Sequence, residues 1–130
     1  MAQRVNISSN SKWENIVSYS RAVQIGNVME ISGTTSSNGE EITGKGDAYL
    51  QTQFILQKIS DTLEQNGFHL KDVIRTRIYV TDISLWEEVA KAHTEYFSEI
   101  RPATTMVEVS RLIHPDLLIE IEASAILQMI

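Results

Sequence analysis

Asp72–Asp82 reads DVIRTRIYVTD and alternates residue by residue. Side chains on a strand point to opposite faces in turn. Ile74, Thr76, Ile78 and Val80 are therefore expected on one face, and Val73, Arg75, Arg77, Tyr79 and Thr81 on the other. A strand with one apolar and one charged face belongs to a sheet covered on a single side. The flanking sequence supplies the cover. Before the strand, Asp47 is placed to cap a helix in which Thr52, Ile55, Leu56, Ile59 and Leu63 recur at helical spacing, ending at Gly67. After it, Leu85–Glu99 carries the stripe Trp86, Val89, Ala90, His93, Tyr96 and Phe97, read as core, and Pro102 bars its continuation.

Further out, Arg21–Ile25 and Val28–Gly33 are β-rich runs joined by Gly26-Asn27, a pair suited to a tight hairpin turn. Thr34–Asp47, TTSSNGEEITGKGD, has no apolar period and reads as an exposed loop and candidate lid. Thr105–Leu112 and Leu117–Leu127 read as two last strands, with His114-Pro115-Asp116 turning between them. The order is β-β-α-β-α-β-β, with room for one more strand at Arg4–Ile7. This is an α+β sandwich, two helices on one face of a mixed sheet, expected as a single domain over residues 1–130.

Composition narrows the function. Lysines and arginines number 11 against 17 acids, a net charge of −6, which disfavours nucleic acid as partner. There are no cysteines, which excludes disulfides and thiolate sites and fits a reducing compartment. No leader-like or membrane-spanning apolar run is present, so a cytoplasmic protein is expected. His69, His93 and His114 lie in separate segments, so no metal is expected, and phosphate-binding or dinucleotide motifs are absent.

The uncovered sheet face decides the rest. Arg75, Arg77 and Tyr79 fall there, and period-two counting adds Glu120 and Glu122 from the last strand. Glu108 with Met106 and Ser110, and Glu30 with Val28 and Ser32, are assigned to the same surface, giving four acids and two arginines. Solvated cross-strand ion pairs are the simpler reading. Because Val28, Val73, Tyr79 and Met106 share that face, a subunit interface with a polar cleft is the favoured one.

Together the motifs resemble a known family. YSRAVQIGNVMEISG (Tyr19–Gly33), IYVTD (Ile78–Asp82), EYF (Glu95–Phe97), RPATTMVEV (Arg101–Val109) and IEIEASAI (Ile119–Ile126) are similar, in order, to the RidA family, also called YjgF or L-PSP. The resemblance implies a chorismate-mutase-like subunit in a homotrimer, with small-molecule clefts between subunits. Active members hydrolyse enamines and imines such as 2-aminoacrylate to keto acids and ammonia, without a cofactor. An arginine holds the substrate carboxylate and a glutamate orients the attacking water. Residue by residue, Glu120 matches that glutamate and Tyr19 the aromatic of the YS motif. The arginine's place, directly after Pro-Ala, is Thr104 here; an asparagine of the second helix is matched by Ala90, and a nearby tyrosine by His93.

The candidate site is accordingly Glu120 for water orientation and His93 as a second titrating group. Tyr19, Ser32, Thr104, Thr105, Arg101 and Arg77 are the candidate substrate-binding residues, with Arg75 beside Arg77 as a further source of the missing guanidinium. Arg–Glu pairing and a hydrogen-bonded interface histidine are the simpler roles for these arginines and for His93. Two function classes follow: a cofactor-free hydrolase of imine-like metabolites with altered specificity, weak on 2-aminoacrylate, and a non-catalytic trimer binding a metabolite or partner. Endoribonuclease or translation inhibitor, an older label for the family, ranks below both.

Overall fold

The computed structural model describes residues 2–128. In chain order it contains β1 (Arg4–Ile7), α1 (Lys12–Val17), β2 (Ala22–Ile25), β3 (Val28–Thr34), β4 (Ser37–Asn38), β5 (Glu41–Ile42), α2 (Ala48–Glu64), β6 (Val73–Val80), α3 (Trp86–Phe97), β7 (Ala103–Glu108) and β8 (Ile119–Ile126). Six strands form one mixed sheet in the order β1-β2-β3-β8-β6-β7, in which only the β6–β7 pair is parallel. The expected extra strand at Arg4–Ile7 is present as β1, paired with β2.

The local chemistry explains the elements. Gly26, at φ +59°, turns β2 into β3. Asp47 caps α2 by accepting the Leu50 N–H at 3.0 Å, and Gly67 at φ +82° ends the helical path. Ile55, Leu56, Ile59 and Leu63 of α2 are fully buried against Met29, Ile78, Ile121 and Ala125 of the sheet, and Phe68 closes the end of that layer. α3 adds Val89 and Phe97 to the same core. Each such Leu, Ile or Phe contributes about 1.5–3 kcal/mol of burial.

Four expectations need correction. The Thr34–Asp47 segment is not a plain loop: it contains the β4–β5 hairpin, and Thr34 and Ser36 are buried. At the start of β6 the alternation slips. Val73 pairs with Ala125 but Arg75 with Ser124, so Ile74 is an inserted bulge residue, 49% exposed, while Val73 joins the core. Met106 and Glu108 lie on the helix side, because parallel pairing sets them against Ile78 and Val80; Glu108 accepts the Ile83 N–H at 3.0 Å. Three acids, Glu30, Glu120 and Glu122, thus share the open face with Arg75, Arg77 and Tyr79. Finally, Trp86 is 52% exposed rather than core, and Ala92 takes the buried position beside Val89.

Candidate functional site

One end of the sheet carries a cleft of about 900 Å³. Its walls are Ser9–Trp13 at the start of α1, the Ser32-Gly33 stretch of β3, the β4–β5 hairpin, Lys58 of α2, Ile113, and Glu120 and Glu122 of β8. Glu14 shapes the first wall. Its carboxylate accepts hydrogen bonds from Ser8 Oγ (3.0 Å), the Ser9 N–H (3.2 Å) and Ser9 Oγ. Burial raises the Glu14 pKa, but those bonds and the charge of Arg21 outweigh it and leave the group below its ordinary value.

The second wall is a bulge. Ile31 pairs with Ala123 and Thr34 with Ile121, so Ser32 and Gly33 together oppose Glu122. Ser32 Oγ donates to the Ser20 carbonyl at 2.7 Å, and Arg21 Nη2 donates to the Gly33 carbonyl at 2.7 Å. Glycine is required at position 33 by close approach: a Cβ there would stand 3.0 Å from Glu120 Cδ and nearer still to Oε2. Replacing Gly33 with alanine should therefore push the flexible end of Glu120 aside and leave the backbone in place. The expected cost in stability is about 1 kcal/mol or less. An NMR titration should show the Glu120 carboxyl returning toward its ordinary pKa; an unmoved titration would refute the close approach.

Electrostatics separate the cleft's groups. Burial pushes the Glu120 pKa up, opposed by the charge of Arg21 and assisted by that of Glu122. Lys58 donates to the carbonyls of Thr35 (3.0 Å) and Ser37 (3.1 Å), tying the β4–β5 hairpin to α2. Burial, with a smaller contribution from Arg21, pushes its pKa down to about 8. The Tyr19 ring centroid lies 6.0 Å from the Arg21 guanidinium carbon. The cleft thus combines a carboxyl whose pKa burial raises, an aromatic wall and three cationic groups, Lys12, Arg21 and Lys58, which suits proton transfer to and from a small bound molecule.

Of the residues singled out from sequence, Tyr19, Ser32 and Glu120 meet here. Others do not line the cleft. Arg77 Nε is 3.9 Å from Glu122, which also accepts the Tyr79 hydroxyl at 2.7 Å, and Arg75 donates to Thr105 Oγ1 at 2.8 Å. His93, Arg101 and Thr104 line a separate hollow of about 340 Å³ between α3 and the outer strand β7, with β8 and β6 standing between it and β3. There Thr76 Oγ1 lies 3.0 Å from His93 Nε2 and 2.8 Å from Thr104 Oγ1, and burial lowers the His93 pKa. Arg101, at φ +55°, turns its Nε back to the Ser98 carbonyl at 3.0 Å.

Sequence reasoning missed Arg21, Gly33 and Lys58 as parts of this site. Only Gly33 left a signal, a glycine inside a strand pattern. Among the described residues, no group of three or more His, Asp or Glu side chains is arranged to hold a metal ion, and no helix is long and apolar enough to cross a membrane.

Comparison with known proteins extends these observations. The profile of a family described as Endoribonuclease L-PSP matches residues 9–127. A RutC family protein of Pyrococcus horikoshii is 41% identical over 110 residues, 82% of this chain and 85% of its own length. The 3-aminoacrylate deaminase RutC of Acinetobacter baylyi is 34% identical, over 82% of this chain and 85% of its own. Among solved structures, a member of the YjgF/YER057c/UK114 family from Mycobacterium tuberculosis is 50% identical, with a TM-score of 0.86 over 96% of this chain and 100% of its own.

Proposed function

Because the chain belongs to the Endoribonuclease L-PSP family, we propose that it is a cofactor-free hydrolase of small imine- or enamine-type metabolites, acting as a single-domain subunit of a cytoplasmic homotrimer. The observation that carries this reading is Glu120: a carboxyl with a raised pKa, held in a cleft against Gly33 and beside Tyr19 and Ser32.

The chemistry asks little more. An enamine first takes a proton at carbon to become an iminium ion, the protonated form of an imine. Glu120 then accepts a proton from a water as its oxygen bonds to the iminium carbon, forming a neutral carbinolamine. Return of that proton to nitrogen makes it a leaving group, and the hydroxyl proton departs with it as the C=O bond forms, so iminium ion and water give carbonyl compound and ammonium. Burial, by raising the Glu120 pKa, helps the carboxyl hold the proton between the two transfers. Holding the electrophile beside the water provides the rest of the acceleration. The net charge of −6 argues against RNA as substrate.

The open sheet face supports assembly. Val28 and Val107 are 38% and 42% exposed there, beside Tyr79 and the Arg75–Thr105 and Arg77–Glu122 contacts. In the proposed homotrimer the small-molecule clefts lie between subunits, so residues of a neighbouring copy would complete each cleft. Sizing chromatography should give about 44 kDa, three times 14.7 kDa. Elution as a monomer would overturn the trimer.

Thr104 favours a second reading, a trimer that binds metabolites without turnover, since a hydroxyl replaces a guanidinium there. To decide, 2-aminoacrylate is generated with a serine dehydratase, and other imines with an amino-acid oxidase, while keto-acid release is followed. Acceleration of any of them, weakest for 2-aminoacrylate and lost in Glu120→Ala, supports the hydrolase. No acceleration of any imine leaves the binding protein.

A further inference from the structure

The cleft holds a guanidinium with which no described carboxylate forms an ion pair. Arg21 precedes β2 and lines the cleft with Tyr19 and Glu120. Its Nη2 is engaged by the Gly33 carbonyl, while its Nε is sealed from solvent and has no hydrogen-bond partner. The ion pairs among the described residues involve Lys12, Lys45, Arg77 and His114, not Arg21. Two carboxyls feel its charge without pairing with it. Glu14 is occupied by Ser8 and Ser9, and burial disfavours the charged form of Glu120.

Lys58 raises the positive potential further, since Arg21 and Lys58 act on each other across the same cleft. Partly burying a cation without a counter-ion is costly, and an incoming anion relieves that cost. The candidates named from sequence are less available for this task. Arg75 and Arg77 are engaged with Thr105 and Glu122, and Arg101 with the end of α3.

We infer that Arg21 is the carboxylate-binding residue of this chain, anchoring a small 2-imino or 2-oxo monocarboxylate in the cleft, with Lys58 as supporting charge. The group missing at Thr104 is thus supplied from the other end of the sheet. Gly33 and Tyr19 set the arginine's position: the Gly33 carbonyl fixes Nη2, leaving the Nη1 side for the carboxylate, and the Tyr19 ring flanks the guanidinium. Nε, buried and without an acceptor from the chain, reports on any shift of the guanidinium as a carboxylate binds. The inference rests on the cleft being the ligand site, as in the proposed function, but not on turnover.

The test uses pyruvate as a probe that is bound and not hydrolysed, with acetone as the same carbonyl lacking a carboxylate. In wild-type protein, titration with pyruvate should shift the Arg21 Nε–H resonance, and acetone should not. By calorimetry, Arg21→Gln should weaken pyruvate binding at least tenfold, Arg21→Lys should recover part of the loss, and the exposed Lys91→Gln should change it less than twofold. Thermal melts confirm that each variant is folded; if Arg21→Gln is not, the wild-type resonance and Arg21→Lys decide. Three results would overturn the inference: no pyruvate binding by the wild type, an Arg21 resonance unmoved at saturation, or pyruvate affinity within twofold of wild type in folded Arg21→Gln. Pyruvate binding through Arg21 without hydrolysis of any imine would uphold the inference while removing the hydrolase. Imine hydrolysis with kcat/KM unchanged in Arg21→Gln would do the reverse.

Discussion

Replacing Gln51 with leucine is expected to lower the stability of the protein by about 3–5 kcal/mol, although the two side chains are nearly equal in size. Gln51 lies on α2, is fully buried, and spends its whole amide on backbone. Nε2 donates to the carbonyls of Gly44 (3.2 Å) and Asp116 (2.9 Å), and Oε1 accepts the Leu118 N–H at 2.9 Å. Leucine leaves the Asp116 carbonyl and the Leu118 N–H without partners, at about 1–3 kcal/mol for each that water does not reach, while the Gly44 carbonyl keeps the Asp47 N–H at 2.8 Å. The damage extends to the site. Gly44 follows the β4–β5 hairpin, and Asp116 lies in the β7–β8 connection that carries Ile113 into the cleft. Urea denaturation read by circular dichroism is the measurement; a loss below about 1 kcal/mol would mean that the amide is replaceable by water.

Glu120→Gln is expected to act in opposite directions on activity and on stability. Hydrolysis should fall by about 10²–10⁴-fold, the range of a lost general base, because glutamine neither accepts nor returns the proton. Stability at neutral pH should rise. Burial raises the folded-state pKa of Glu120, so the folded protein holds that proton more tightly than the unfolded chain does. Stability from this group is full below the ordinary carboxylate value of 4.5 and is lost as pH climbs through the raised folded value. Glutamine removes the loss, by at most about 1 kcal/mol, since the position stays partly exposed and water screens the charge. Melting temperatures of both forms between pH 4 and pH 8 should converge at the acid end and separate toward neutrality. A gap that widened toward acid would refute the assignment.

The helices and most strands were legible because their causes are local. Asp47, the Ile55–Ile59–Leu63 spacing and Gly67 act within α2 itself, and Gly26-Asn27 alone makes the turn between β2 and β3. What escaped was set by partners distant in sequence. Ile74 bulges because β8 offers one residue against two, which period-two counting on β6 alone does not reveal. Met106 and Glu108 changed face because β7 runs parallel to β6, a direction fixed by the crossover through α3. In the site, Glu120, Tyr19 and Ser32 were named from motif resemblance and are gathered by the fold. Arg21 carried no mark of its own, since its significance lies in the Gly33 carbonyl it meets and in the ion pair it does not make.

The contact between Gly33 and Glu120 also bears on how such a chain changes over generations. A methyl group at position 33 displaces the end of one side chain and disturbs little of the core. A single substitution there could therefore remove the chemistry proposed for Glu120 while leaving the fold intact. Such a protein would be free to acquire a different ligand before the scaffold decayed. Position 33 thus ties the place of Glu120, and not the stability of the sheet, to the size of one side chain.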